Sequence, residues 1–309
     1  MKLSKLRIIS RESPLAMWQA NHVRDTIRSH HPGLEVEIIG IKTQADRFLD
    51  ASLPSLGGKG VFVKELEQAL LEGSADLAVH SMKDVTIDLP EPLALPVIMQ
   101  REDVRDVMIS NQYREFAALP PRARIGTSSL RRRCQIKAIR PDLEILDIRG
   151  NVGTRLGKLD AGHYDALILA AAGVKRLGLA ERISEFLDTA LLLPAIGQGA
   201  LGLETRAGDS AVQEIIAPLN DMTTHTCLRA ERSLSRTLYG GCHVPVAGHA
   251  VINGNNIHIN ALVGRLDGSE IIRSSISGGV EQGEALGITL GRELLGKGAD
   301  AILRELLDD

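Results

Sequence analysis

A lysine and an aspartate stand side by side at Lys83-Asp84, inside the run His80-Ser81-Met82-Lys83-Asp84-Val85. The apolar segment 75–81 predicts a buried strand, which puts both residues at or just past its carboxyl end. In open α/β sheets that edge lines the ligand crevice. A carboxylate beside a lysine there can carry a proton or face a developing cation. A surface ion pair after a strand is the plain alternative. A second reactive candidate is Cys242, preceded by Gly240-Gly241 and followed by His243-Val244-Pro245. Such a loop leaves a thiol accessible, and a neighbouring histidine favours the thiolate, which is the reactive form. An ordinary loop cysteine is the alternative here. Two further segments suit anions. Gly126-Thr127-Ser128-Ser129-Leu130-Arg131-Arg132-Arg133 joins a strand to a helix, offering hydroxyls, early backbone N–H groups and forked guanidinium donors. Residues 149–155, RGNVGTR, repeat the arrangement at the next strand–helix junction. Two such junctions point to a ligand with several negative groups.

The charge distribution agrees. Residues 101–182 carry 16 Lys+Arg against 10 Asp+Glu, while the whole chain has a formal net charge of −3. Nucleic acid is therefore not the expected partner, and no helix-turn-helix spacing surrounds the arginine-rich helix. Gly197-Gln198-Gly199-Ala200-Leu201-Gly202 spells a dinucleotide fingerprint, but Pro194 interrupts the run before it and the residues after it look extended rather than helical. Three cysteines, Cys134, Cys227 and Cys242, are too few for a disulfide framework. No paired C-x-x-C spacing supports zinc, and Cys134 and Cys227 fall in helical segments as packing residues. No stretch reaches the roughly 20 apolar residues that span a bilayer. The start of the chain lacks a signal-peptide pattern, so the expectation is a cytoplasmic protein.

These residues need rigid elements behind them. At 309 residues with 44% hydrophobic content, the chain suits two or three folded domains. Strands are predicted over 6–10, 35–43, 75–81 and 93–99, with a helix opening at Ser13-Pro14 and another after the glycine loop 57–60. The alternation restarts with strands at 106–110, 123–128, 143–150 and 164–173, and helices from near Ser129, Asn151 and Lys175. Residues 190–206 suit a return crossover to the first domain. Beyond 222 come a helix (about 223–238), three short alternating segments split by Asn-Gly and Asp-Gly turns, and a last helix from near Glu281.

The ordered set of motifs resembles the porphobilinogen deaminase family. It comprises Arg11-x-Ser13-Pro14-Leu15-Ala16, GGKG at 57–60, VHSMKD at 79–84, GTSSLRR at 126–132, RGNVGTRLGKL at 149–159, AAAGVKRLG at 170–178, PAIGQGALGLE at 194–204 and GGCHVP at 240–245. The resemblance implies two periplasmic-binding-protein-like α/β domains, 1–99 with 200–219 and 100–199. A third α+β domain with a small antiparallel sheet follows at 220–309. It implies a transferase that joins four porphobilinogen molecules head to tail into hydroxymethylbilane for haem synthesis, releasing ammonia. A dipyrromethane cofactor would be held by a thioether to Cys242. Asp84 would be the catalytic carboxylate, assisted by Lys83. Cofactor and substrate would be held by Arg11, Ser13, Lys59, Ser81, Thr127, Ser128, Ser129, Arg131, Arg132, Arg149, Asn151, Arg155, Arg176, Gln198 and Gly199. No metal, nucleic acid or membrane partner is implied, and the expected state is a monomer. Ala45, Ser55 and Thr86 depart from the family pattern, which bears on loop geometry rather than on the reacting groups.

Overall fold

The computed structural model describes residues 3–43, 63–238 and 244–307. It divides into two compact units, Met1–Glu102 with Ala200–His225, and Asp103–Gly199 with Thr226–Asp309.

In the first unit, β1 (Lys5–Arg11), β2 (Glu35–Ile41) and β3 (Leu77–Ser81) run parallel, with β4 (Leu93–Ile98) and β10 (Leu201–Arg206) completing the sheet in the order β2-β1-β3-β10-β4. β10 enters antiparallel to both β3 and β4, so the return segment forms a central strand of the mixed sheet. β1 is apolar on consecutive residues because both faces are covered. Leu6 and Ile8 pack with Val23 and Ile27 of helix α1 (Pro14–His30), while Ile9 packs with Leu66 and Leu70 of α2 (Lys64–Leu71). Ser13 caps α1 by accepting from the Ala16 N–H, with Pro14 in the first turn as the sequence predicts.

The second unit contains two sheets. The first has the order β7-β6-β8-β5-β9, from β5 (Asp106–Ile109), β6 (Arg124–Gly126), β7 (Glu144–Leu146), β8 (Ala166–Ala170) and β9 (Glu185–Leu187). Alternate residues part to opposite faces. Met108 and Ile168 join one core, and Val107, Ile109, Leu167 and Leu169 the other. The helices α3 (Leu130–Ile139), α4 (Val152–Asp160) and α5 (Ala171–Arg176) follow β6, β7 and β8. Here the structure corrects the sequence reading. The strand read over 164–173 ends at Ala170, and α5 begins at Ala171 rather than near Lys175. The alanines fit a buried helical turn as well as a strand, so periodicity could not place the switch. The segment 143–150 is likewise strand only over Glu144–Leu146, since the chain turns away to deliver residues 147–151. β9 was absent from the sequence reading. At three residues it is too short to carry a period.

The second sheet of this unit is an antiparallel meander of β11 (Val246–Asn253), β12 (Asn256–Gly264) and β13 (Ile271–Gly279). Alternating residues of β12, such as Ile257, Ile259, Ala261 and Val263, pack with helix α7 (Met222–Thr237) and with α8 (Gly283–Leu294) and α9 (Asp300–Leu307). A short helix, α6 (Ser210–Ile216), precedes α7 in the first unit. The predicted single last helix is two helices. Gly298, at φ 107°, breaks the run between α8 and α9. Cys134 of α3 packs against Ala247 and Leu262 of the meander. The fold is thus mixed α/β, with two five-stranded α/β sheets and a third part built on a small three-stranded antiparallel sheet.

Candidate functional site

Parallel strands end on one edge, so β1 and β3 deliver Arg11, Ser13, Ser81, Lys83 and Asp84 to the carboxyl edge of the first sheet. Lys83 and Asp84 occupy a 3₁₀ turn, Met82–Asp84, directly after β3. That turn is fixed from below. The Met82 N–H donates to the Ala200 carbonyl at 3.0 Å, and Gly202 of β10 lies so close that a Cβ there would clash with Met82 Sδ. Ser81 Oγ accepts from Gln19 Nε2 at 2.8 Å, which fixes the residue before the turn. Asp84 is half-buried, and its carboxylate has no hydrogen-bond or ion-pair partner among the described residues. A carboxylate held in that state at a strand edge is available to a ligand. Behind it, His80 Nε2 and Glu204 Oε2 lie 2.7 Å apart in the core. Burial, and then the charge of Glu204, push the carboxyl of nearby Glu67 above its ordinary value.

The second unit gathers its candidates at the carboxyl edge of β6, β7 and β8. After β6, Thr127 Oγ1 accepts from the Ser129 N–H at 3.3 Å. Ser128 Oγ bridges the Ile148 carbonyl (2.6 Å) and N–H (3.0 Å), tying one loop to the next. Ser129 precedes α3 without a side-chain cap bond. After β7, Asn151 Oδ1 caps α4 by accepting from the Thr154 N–H at 2.9 Å. Arg155 Nε donates to the Gly150 carbonyl at 2.8 Å, and Lys158 Nζ to the Arg149 carbonyl at 3.3 Å. Gly150 sits at φ 106°, and a Cβ there would meet Thr154 at 2.7 Å, so this turn requires glycine. After β8, Arg176 Nη2 donates to the Gly199 carbonyl at 2.7 Å.

Arg131 and Arg132 do not reach outward. Both are buried, and both turn to the carboxylate of Asp106 at the start of β5. Gln198 joins them, with Nε2 donating to Asp106 Oδ1 at 2.9 Å and to the Val104 carbonyl at 2.7 Å. The glycine motif that spelled a dinucleotide site therefore serves a different end. Gly197 and Gly199, at φ 72° and 88°, let the chain fold Gln198 inward. Burial alone would push the Asp106 carboxyl up. The guanidiniums of Arg131 and Arg132, helped by hydrogen bonds from Arg132 and Gln198, hold it down at about 2. Sequence reasoning missed Asp106. Its signal was an acidic residue opening a short, wholly buried strand.

Cys134 is buried, and that burial pushes its thiol up to about 12, consistent with a packing role. Cys227 is buried as well. Cys242 and Lys59 lie outside the described residues, as do Ala45 and Ser55. Among the described residues no cluster of His, Cys, Asp or Glu could hold a metal ion, and no helix is long and apolar enough to cross a membrane.

Similar solved structures include three binding proteins. A putative methionine-binding lipoprotein from Bacillus subtilis is 10% identical over 72% of this chain and 92% of its own, with a TM-score of 0.44. A periplasmic substrate-binding protein of an ABC transporter from Coxiella burnetii is 13% identical over 72% and 94%, at 0.44. The periplasmic aliphatic sulphonate binding protein SsuA from Escherichia coli is 13% identical over 76% and 71%, at 0.41. At the level of sequence families, residues 6–214 match the porphobilinogen deaminase dipyrromethane cofactor binding domain, and residues 225–296 match the porphobilinogen deaminase C-terminal domain. The two matches take in most of the chain in the order its motifs run, and the chain belongs to the porphobilinogen deaminase family.

Proposed function

We propose that this chain, a transferase of tetrapyrrole biosynthesis by its family, deaminates four porphobilinogen molecules and joins them head to tail into hydroxymethylbilane. The domains would be 1–99 with 200–219, 100–199 and 220–309, and Cys242 would carry the cofactor through a thioether. The observation that carries the reading is the half-buried Asp84 carboxylate, without a partner among the described residues, on a braced turn at a sheet edge.

The donor set fits a dipyrromethane bearing acetate and propionate groups. Arg131 Nε and Arg132 Nε are buried donors with no acceptor among the described residues, and Arg149, Arg155 and Arg176 stand at the same sheet edge. When bound, the cofactor supplies a nucleophilic pyrrole carbon and a tether. Loss of ammonia from the substrate's aminomethyl group breaks a C–N bond, the nitrogen leaving with the electron pair, and creates a cationic azafulvene. Asp84 faces that cation and stabilises it, as a fixed charge aimed where charge develops must. Its carboxylate then takes up the proton released on coupling. The arginines offset the two carboxylates that each added pyrrole brings. A charge-assisted hydrogen bond is worth about 1.5–3 kcal/mol, so several hold a growing chain between additions.

The test is Asp84→Asn, which keeps the shape and removes the charge. Ammonia release from porphobilinogen should fall by about 100-fold or more, the usual scale for a lost acid–base group. Near-normal release by the folded variant would refute the assignment.

A further inference from the structure

Asp106 belongs to none of the motifs and matches none of the residues implied by the family resemblance. It is wholly buried at the first position of β5, paired with Ala170, the last residue of β8, and so sits at the carboxyl edge of β8. Arg131 Nη2 stands 2.8 Å from its Oδ2, and Arg132 Nη2 donates to its Oδ1 at 2.8 Å. These arginines are adjacent on a helix, where successive side chains diverge by about 100°. Convergence on one carboxylate is therefore imposed by that carboxylate. The other Nη ends are also tied down, Arg131 Nη1 to the Leu193 carbonyl at 2.6 Å and Arg132 Nη1 to the Ile168 carbonyl at 3.0 Å. The Nε–H of each guanidinium is buried and has no acceptor among the described residues.

The charges point the same way. Arg131 and Arg132 are 4% and 6% exposed and Asp106 0%, so two guanidiniums and one carboxylate leave one positive charge in a buried place. A buried unbalanced charge and two unmet donors are costly separately. One further carboxylate would satisfy both at once. We infer that Asp106 is a positioning residue: by holding the Nη ends of Arg131 and Arg132, it presents their two Nε–H donors to a single carboxylate of the pyrrole chain and limits the site to one anion. The identity of that anion rests on the proposed function; the role of Asp106 in anion binding does not.

The experiment uses the full-length chain with inorganic phosphate as probe, titrated calorimetrically in a Cys242→Ser background so that no tethered cofactor competes. Asp106→Asn removes the negative charge beside the donors, leaving both guanidinium charges unbalanced, and phosphate should bind about tenfold tighter. In the Cys242 chain the same substitution should raise KM for porphobilinogen about tenfold or more while kcat changes by less, because aim is lost and charge is not. Mere structural damage would weaken phosphate and substrate together. Absence of phosphate binding in the parent, unchanged or weaker binding in Asp106→Asn, or an unchanged KM would each overturn the inference. Should Asp106→Asn fail to fold, Asp106→Glu keeps the charge and moves the anchor. Phosphate affinity should then stay within about twofold while KM rises, and an unchanged KM would again overturn it. A parent chain without adduct or turnover, yet with phosphate binding that responds to Asp106, would refute the proposed function and leave the inference standing.

Discussion

Two aspartates in this chain have opposite surroundings, and the difference sorts their roles. Asp84 is half-buried without a partner among the described residues, whereas Asp106 is buried under two guanidiniums and an amide. The second arrangement has a thermodynamic signature. The Asp106 carboxyl is depressed from 3.8 to about 2 in the folded protein, so its linked stabilisation is full above the unfolded value and is lost as pH falls through the folded one. A shift of that size corresponds to about 2–3 kcal/mol. The difference in unfolding free energy between the parent and Asp106→Asn, followed by urea titration, should be level from pH 7 to about 5 and shrink between about pH 4 and 2. A difference that stays level down to pH 2 would show that the carboxylate is not held as described. The sequence exposed Asp84 because a charged pair after an apolar strand is visible in the residue order. Asp106 was hidden because its partners come from α3 and from residue 198, far off in the chain.

At the scale of elements, the turns that follow the parallel strands do the positioning, and their geometry is set by a few residues. Gly150 is the clearest case. Its φ of 106° and the proximity of Thr154 leave no room for a Cβ between Arg149 and the Asn151 cap. Gly150→Ala should cost about 1–3 kcal/mol from the strained backbone and raise KM more than it lowers kcat, measured by urea unfolding and steady-state kinetics. Unaltered stability would mean that the turn relaxes freely. Capping at Ser13 was readable because serine before proline has a local cause. The start of α5 was not, because Ala-Ala-Ala-Gly suits either element until tertiary packing decides. The three-residue strands β6, β7 and β9 were overextended or missed for a similar reason: their pairing comes from neighbours rather than from a period of their own.

For the whole molecule, the order of the motifs carried more information than any one of them. Strand–helix alternation revealed the two α/β sheets, and the Asn-Gly and Asp-Gly turns revealed the antiparallel meander. The placement of β10 in the first sheet was legible only as a return crossover, since strand order depends on pairing across more than a hundred residues. The claim that unites the scales is covalent: a pyrrole cofactor tethered at Cys242 and bound through arginines. The intact mass of the purified full-length chain tests it most directly. The expected result is an adduct of dipyrromethane size on the parent chain and none on Cys242→Ser. An unmodified parent mass, or an adduct that survives in Cys242→Ser, would contradict it.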